Sequence, residues 1–393
     1  MKKDIMTRAD EVIAKTYKRF PIVIIKGKGC NLWDTKGKQY TDFVSGIAVC
    51  NLGHAHPRVS KALAKQADTL LHVSNLYYTE PQVQLASWIT QNSFADRVFF
   101  CNSGAEANEA AIKLVRKYFK EKGESERFRI VTMERSFHGR TMATLSATGQ
   151  DKIKKGFEPV LEGFDHVPFN DMDALHNKIG PHTCAVLIEP IQGEGGVRCP
   201  DDGYLKAVRR VCDETGVLLI FDEIQTGMGR TGKLFAYEHF GIEPDIMTLA
   251  KALANGLPIG AMLAKEDVAG AFGPGAHAST FGGTPIITAA SLEVVKVLSE
   301  ENIIEHCSNV GAYFEERLLW LKKRHESIVD VRGKGLLVGM KLEIEGAPIV
   351  DACMEKGFLI NCIQENVLRF IPPLTIEKND IDALVACLDE ILD

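Results

Sequence analysis

A carboxylate at the end of a buried run, followed about 29 residues later by a lysine among alanines, is the arrangement in this chain best suited to chemistry. The run is Leu218-Leu219-Ile220-Phe221, and it ends in Asp222-Glu223-Ile224-Gln225. In open α/β sheets a ligand sits beyond the carboxyl ends of the strands, where an acid can hold a positively charged ring nitrogen. Downstream, Asp245-Ile246-Met247-Thr248-Leu249-Ala250 leads into Lys251, with Asn255-Gly256 just beyond. A lysine set against apolar neighbours loses part of the solvation that keeps it protonated, which suits a Schiff-base role. Each residue alone has a plainer account, Lys251 as a surface lysine on a short helix and Asp222 as a helix cap.

Two further segments could bind a ligand. Asn102-Ser103-Gly104-Ala105-Glu106-Ala107-Asn108 lies between an apolar run and a helical stretch. Small residues there let backbone amides and the Ser103 hydroxyl approach a phosphate at the positive end of the helix. An ordinary N-cap with Ser103 as the cap explains the same residues. Ser136-Phe137-His138-Gly139-Arg140 follows another run, and an exposed aromatic beside an arginine suits stacking on a planar ring and gripping a carboxylate. A buried phenylalanine and a surface arginine are the alternative.

The elements that must position these residues follow from apolar periodicity. Residues 98–101, 129–132, 185–188 and 217–221 read as buried strands, and 105–120 and 204–214 as helices between them. Alternation of this kind predicts an α/β fold with a mostly parallel sheet covered on both faces. Residues 20–50 read as short strands around an Asp34-Thr35-Lys36-Gly37 turn. After Pro285 come two long helices, roughly 286–300 and 302–325, a β-rich stretch from Ile328 to Leu342 and a final helix from about Lys378. The expected division is a large domain of residues 51–285 and a smaller α+β domain built from 1–50 and 286–393.

Composition narrows the classes. Of the 393 residues 45% are apolar and 25% charged, the balance of a globular enzyme, and the net charge of -6 comes without a basic block that would mark a nucleic-acid surface. Residues 1–17 lack the apolar core of a signal peptide and read as a short amphipathic helix, and no run is long enough to span a bilayer. Ten cysteines without a C-x-x-C pair read as thiols of a reducing compartment, so the expected location is the cytoplasm.

Taken together, these segments resemble the class III, or subgroup II, aminotransferases of pyridoxal-phosphate fold type I. The resemblance runs from Gly27-Lys28-Gly29 and Leu32-Trp33-Asp34 through Gly53-His54-Ala55-His56-Pro57 to the C-terminal helix. Its most specific parts are Phe221-Asp222-Glu223-Ile224-Gln225 and Lys251. It implies pyridoxal 5'-phosphate as cofactor, held as a Schiff base by Lys251, with Asp222 at the ring nitrogen to keep the ring an electron sink. Gln225 would reach the ring hydroxyl and Phe137 would stack on the ring, with Glu223 and Ile224 in the same wall. Ser103, Gly104 and Ala105 would hold the phosphate. Ser279-Thr280-Phe281-Gly282-Gly283 matches the loop whose threonine, here Thr280, completes a partner subunit's site, which implies a homodimer with shared active sites. Thr284 departs from the pattern, which has Asn after the glycine pair.

Within the family, Val73 to Pro81, Ser136 to Gln150 and Gly156-Phe157-Glu158-Pro159 resemble the members that act on N2-acetyl-L-ornithine with 2-oxoglutarate. The resemblance then implies two arginines. Arg140 would hold the far carboxylate of either substrate, Ser279 would also bind substrate, and Arg369 in Val367-Leu368-Arg369-Phe370 would take the α-carboxylate of glutamate. With acetylornithine bound no carboxylate faces Arg369, and a buried unpaired charge is costly, so Glu194 in Glu189-Pro190-Ile191-Gln192-Gly193-Glu194 is expected to pair with it. Succinylornithine, succinyl-diaminopimelate or a carrier-linked lysine could use the same two-arginine logic; outside acylated amines, 4-aminobutyrate and ornithine are the alternatives.

Other motifs compete. Gly227-Met228-Gly229-Arg230-Thr231-Gly232-Lys233 matches most of a Walker A loop and would suggest a nucleotide-binding ATPase. Leu234 stands where Mg²⁺ needs Ser or Thr, and no strand and helix bracket the loop. His54 and His56 lack further nearby ligands for a metal. A non-catalytic binding protein is a third class, against which Lys251 and Asp222 both stand.

Overall fold

The structure, a computed structural model, describes residues 4–393. Seven strands form its central sheet in the order Arg97–Cys101, Gly260–Ala264, Ile246–Leu249, Leu218–Asp222, Thr183–Ile188, Arg129–Met133 and Phe164–Val167. All run parallel except Gly260–Ala264, which is antiparallel to both its neighbours. Every residue of Thr183–Ile188, Leu218–Asp222 and Ile246–Leu249 is buried, as a sheet covered on both faces requires. The helix Gly104–Glu121 lays Ala107, Ala110, Ala111, Leu114 and Val115 against this sheet, a stripe at helical spacing.

The strands legible as apolar runs lie within a residue or two of their expected ends. Three strands of the sheet, Ile246–Leu249, Phe164–Val167 and Gly260–Ala264, lie outside the expected set. Phe164–Val167 is an edge strand with Asp165 and His166 at its centre. Gly260 opens Gly260–Ala264 where another segment passes close by: a Cβ there would stand 2.2 Å from the Ser103 carbonyl oxygen.

The N-terminal hairpin is a three-stranded meander, Ile24–Lys28, Asn31–Asp34 and Gln39–Asp42, extended by the parallel strand Phe358–Leu359. Asp34 Oδ1 accepts from Lys36 N and Lys38 N, which closes the turn. A second antiparallel sheet joins Ile328–Lys334, Leu337–Leu342, Val367–Phe370 and Asn361–Ile363. All four residues of Val367–Phe370 are buried, Arg369 among them. The helix Pro285–Glu300 packs on Pro57–Ala67 and Glu80–Gln91, and Ile303–Arg324 packs on the final helix, Lys378–Leu392. The N-terminal helix spans Ile5–Val12, shorter than expected, with none of its residues buried; residues 1–3 of that expectation lie outside the described residues.

The Walker-like segment 227–233 is a run of turns between Leu218–Asp222 and the short 3-10 turn Ala236–His239, not a loop between strand and helix. Its Arg230 is fully buried and donates to the carbonyls of Leu336 and Pro372 and to Asn51 Oδ1. Burial holds that guanidinium down at about 10.

Candidate active site

The carboxyl ends of the parallel strands converge on a cavity of about 500 Å³. Among its lining residues, Ser103, Gly104 and Ala105 stand in one part, Phe137 and Arg140 in another, and Glu194, Asp222, Ile224, Gln225 and Lys251 in a third. Residues drawn from five separate segments of the sequence thus meet in one place.

Asp222 ends its strand with its carboxylate almost wholly buried. Its Oδ2 accepts from Asn108 Nδ2 at 2.8 Å and from His138 Nδ1 at 2.8 Å, and its Oδ1 accepts from Ile224 N at 3.1 Å. Asn108 is fixed in turn, donating to His138 O and accepting from Thr248 Oγ1 at 2.8 Å. A carboxylate oxygen only accepts, so His138 carries a proton on Nδ1, while its Nε2 is buried with no partner. The acid is therefore held rigidly, with Oδ1 keeping capacity for one more donor.

Lys251 opens the short 3-10 turn Lys251–Ala254 at φ 44°, a backbone region that side chains other than glycine seldom adopt. Burial holds its ammonium below the ordinary lysine value; Arg369 pushes the same way, and the carboxylates Glu194, Asp222 and Glu189 oppose. A lysine so placed has a larger neutral fraction near pH 7 than one in water, which a nucleophile or proton carrier needs.

Arg369 is 1% exposed and donates from Nη1 to Glu194 Oε1 at 2.5 Å and to Gln225 Oε1 at 3.2 Å. Gln225 Nε2 reaches the same Glu194 oxygen at 3.4 Å. Burial alone would raise the Glu194 carboxyl, but Arg369 and Lys251 outweigh it and leave it below the usual range. Glu194 and Arg369 thus form an ion pair inside the cavity.

At the other end, Ser103 caps the helix Gly104–Glu121, its Oγ accepting from Glu106 N at 3.2 Å. The first-turn amides of Gly104 and Ala105 have no partner within the helix and stand at its positive end. A Cβ on Gly104 would meet Ile224 Cδ1 at 2.7 Å, so glycine is what lets this turn approach the wall. Phe137 is half-buried with the Arg140 guanidinium 5.6 Å from its ring centre, and Arg140 is exposed.

Three expected residues lie elsewhere. Glu223 does not line the cavity: strand alternation turns it the opposite way from Asp222, and its carboxylate accepts from Thr226 Oγ1, Ala236 N and Tyr237 N. It braces the loop that follows and is not part of the wall in which it was expected. Thr280 is exposed and Ser279 bonds to Asn102 Nδ2 and Gly282 N; neither lines this chain's own cavity.

Three residues without an expected role stand in the site. Asn108 is one, and its signal is a polar side chain on the buried stripe of a helix. His138 is another. The third is Glu189, whose carboxylate accepts from Phe137 N at 3.0 Å and Gly193 N at 3.2 Å and which burial pushes well above the usual carboxylate range.

Residues 12–392 match the model of the family described as aminotransferase class III. The chain is 51% identical over 388 residues to the acetylornithine aminotransferase of Caldanaerobacter subterraneus subsp. tengcongensis, covering 98% of both chains. It is 52% identical over 375 residues to that of Methanocaldococcus jannaschii, covering 95% of this chain and 94% of the relative. Among solved structures it superposes with a TM-score of 0.95 on the ornithine aminotransferase of Toxoplasma gondii crystallised with oxidised glutathione, which has PLP at partial occupancy in its active site. Identity there is 34%, with 99% of this chain and 94% of that one covered.

Proposed function

The chain belongs to the class III aminotransferases, and on that premise we propose that it transfers the δ-amino group of N2-acetyl-L-ornithine to 2-oxoglutarate. The products are N-acetyl-L-glutamate 5-semialdehyde and L-glutamate, and the cofactor is pyridoxal 5'-phosphate. The observation that carries this reading is the buried Arg369–Glu194 pair in the cavity of Lys251 and Asp222. A site serving only one kind of amine has no need of a cation that can be neutralised from within or by a substrate carboxylate.

The residues fit that cofactor. The cavity is of the size that holds a small cofactor together with substrate. Helix amides lie at one end for a phosphate, and Asp222 Oδ1 retains acceptor capacity for a ring N–H. When bound, the pyridoxal group supplies an electrophilic carbonyl and a ring that withdraws electrons from the carbon losing its proton.

The chain's own residues do the rest. Lys251 Nζ would hold the cofactor, and its amine would carry the proton at the amine-bearing carbon of the substrate. Asp222, fixed by Asn108 and His138, would hold the ring nitrogen. Arg140 holds the carboxylate at the far end of either substrate. Glu194 neutralises Arg369 while acetylornithine occupies the site and yields it to the α-carboxylate of glutamate. Residues 51–285 form the cofactor-binding domain, and the two termini form the smaller one over it.

The active form is a homodimer in which Thr280 reaches the partner's phosphate site. Leu76, Tyr77, Tyr78 and Phe281 are 61–99% exposed, and Asn75 joins their segments by donating to Ser279 O and Gly282 O. An apolar surface of this kind is what a subunit interface covers. No helix among the described residues is long and apolar enough to cross a membrane, and all ten cysteines are free thiols, which supports a cytoplasmic location.

An absorption spectrum of the purified protein tests the reading. A visible cofactor band that collapses on adding N-acetylornithine without keto acid is expected. A band that persists with acetylornithine and collapses with glutamate would discard the substrate and keep the reaction class.

A further inference from the structure

Adjacent residues of one segment line two different cavities: Glu194 faces the cavity of Lys251, and Gly195 lines a second one of about 740 Å³. The second is basic. Arg135, Lys152, Arg198, Arg332 and Lys341 line it, against Asp151 and Glu365. Arg332 pairs with Asp330 at 2.8 Å. Arg135, Lys152, Arg198 and Lys341 make no ion pair and donate no side-chain hydrogen bond among the described residues. Burial holds Arg198 below its ordinary value, and the neighbouring Arg135 and Arg332 add to the effect. Gathered cations without partners repel one another in a partly enclosed space, and an oxyanion relieves that repulsion.

The wall of this cavity also grips the backbone around Glu194. Arg332 Nη2 donates to Gly196 O at 2.7 Å, and its Nε lies 3.0 Å from both Gly196 O and Val197 O. Gln364 Nε2 donates to Glu194 O at 2.9 Å.

We propose that the cavity of Arg135, Arg198, Arg332 and Lys341 binds a small multivalent oxyanion, a phosphate or a polycarboxylate, and that its occupancy shifts Glu194 through Arg332 and Gln364. An anion there competes with Gly196 O and Val197 O for the Arg332 donors. The segment loosens, Glu194 holds Arg369 less firmly, and the glutamate half-reaction gains on the acetylornithine one. This last step rests on the roles of Glu194 and Arg369 proposed above.

The experiment is calorimetric titration of the holoenzyme with pyrophosphate and, separately, citrate, at constant ionic strength set by chloride. Binding of either is expected, and which one binds identifies the source class; binding of neither overturns the inference. Arg198→Gln and Lys341→Gln should each weaken the anion by about tenfold or more, the loss of one charge-assisted contact, while Arg140→Gln leaves it unchanged. The reverse pattern places the anion in the catalytic cavity and overturns the inference. In stopped-flow half-reactions, the saturating anion should raise the glutamate-to-acetylornithine rate ratio in the native chain and not in Arg198→Gln. An unchanged ratio in the native chain removes the link to Glu194. Failure of the proposed reaction would show separately, as a holoenzyme band unmoved by N-acetylornithine.

Discussion

Arg369 and Glu194 come from segments 175 residues apart and meet at 2.5 Å in a cavity where the arginine is 1% exposed. Taking the carboxylate away leaves a buried cation uncompensated, and such a charge is strongly unfavourable. Glutamate brings its own carboxylate to repair this, whereas acetylornithine brings none to that end of the site.

Glu194→Gln should therefore slow the acetylornithine half-reaction by on the order of tenfold to a hundredfold and leave the glutamate half-reaction within about twofold. Stopped-flow spectra of each half-reaction measure both. Equal losses on the two sides would sink the gating role.

Lys251→Ala should abolish turnover while the chain still takes up the cofactor noncovalently, because the contacts proposed for Ser103 to Ala105 and Asp222, which line the same cavity, do not involve it. Complete loss of cofactor binding in equilibrium dialysis would contradict that division of labour.

The depressed Lys251 ammonium also sets a stability prediction for the cofactor-free protein. A lysine lowered in the folded state binds fewer protons there than in the unfolded chain, so between its folded value and the ordinary 10.5 stability rises with pH. The penalty is absent above that ordinary value and fully developed below the folded one. Lys251→Met should accordingly stabilise the apoprotein at pH 7 and lose that advantage as pH approaches the ordinary lysine value. Denaturant melts of both forms across this range decide it, and a gain independent of pH would mean that the lysine is not the cause.

Mixed dimers test where Thr280 acts. A Lys251→Ala chain combined with a Thr280→Ala chain creates one site with both an intact lysine and an intact threonine, provided the threonine serves the neighbour. Cofactor affinity at that site should return to the native value. Affinity stuck at the Thr280→Ala level would place the threonine in its own subunit's site.

Asn108→Leu should lower stability by about 1–3 kcal/mol, since it strips Asp222 of one buried donor and Thr248 of its acceptor. It should also weaken the cofactor, because Asp222 loses a positioning contact. Normal cofactor affinity in a destabilised variant would confine Asn108 to a structural part.

Much of this was legible in the sequence wherever a single physical signal was strong. The all-buried strands Thr183–Ile188 and Leu218–Asp222 are apolar runs, and the helix Gly104–Glu121 shows its stripe. Phe164–Val167 was not legible because an edge strand needs no continuous apolar face. Gly260–Ala264 was not because Gly260, which breaks its apolar run, answers to the Ser103 carbonyl beside it, a tertiary fact. Glu223 shows the limit of motif reading: it adjoins Asp222, yet the two-residue period of a strand sends neighbours to opposite sides. The roles of Asn108, His138 and Glu189 depend on distances between segments that no local pattern carries.

The buried guanidinium of Arg230 has a consequence for how the chain is made. Its acceptors are Asn51, Leu336 and Pro372, so one arrives before it during synthesis and two long after. The strands from Arg97 to Ala264 can pair before then, but a cation destined for full burial stays hydrated until the last acceptor emerges. Pro372 lies three residues past Arg369, so the acceptor that completes the enclosure of Arg230 arrives with the strand that delivers the cavity's own arginine. A ribosome that stalls short of that strand leaves a chain with its central sheet encoded and its seal missing.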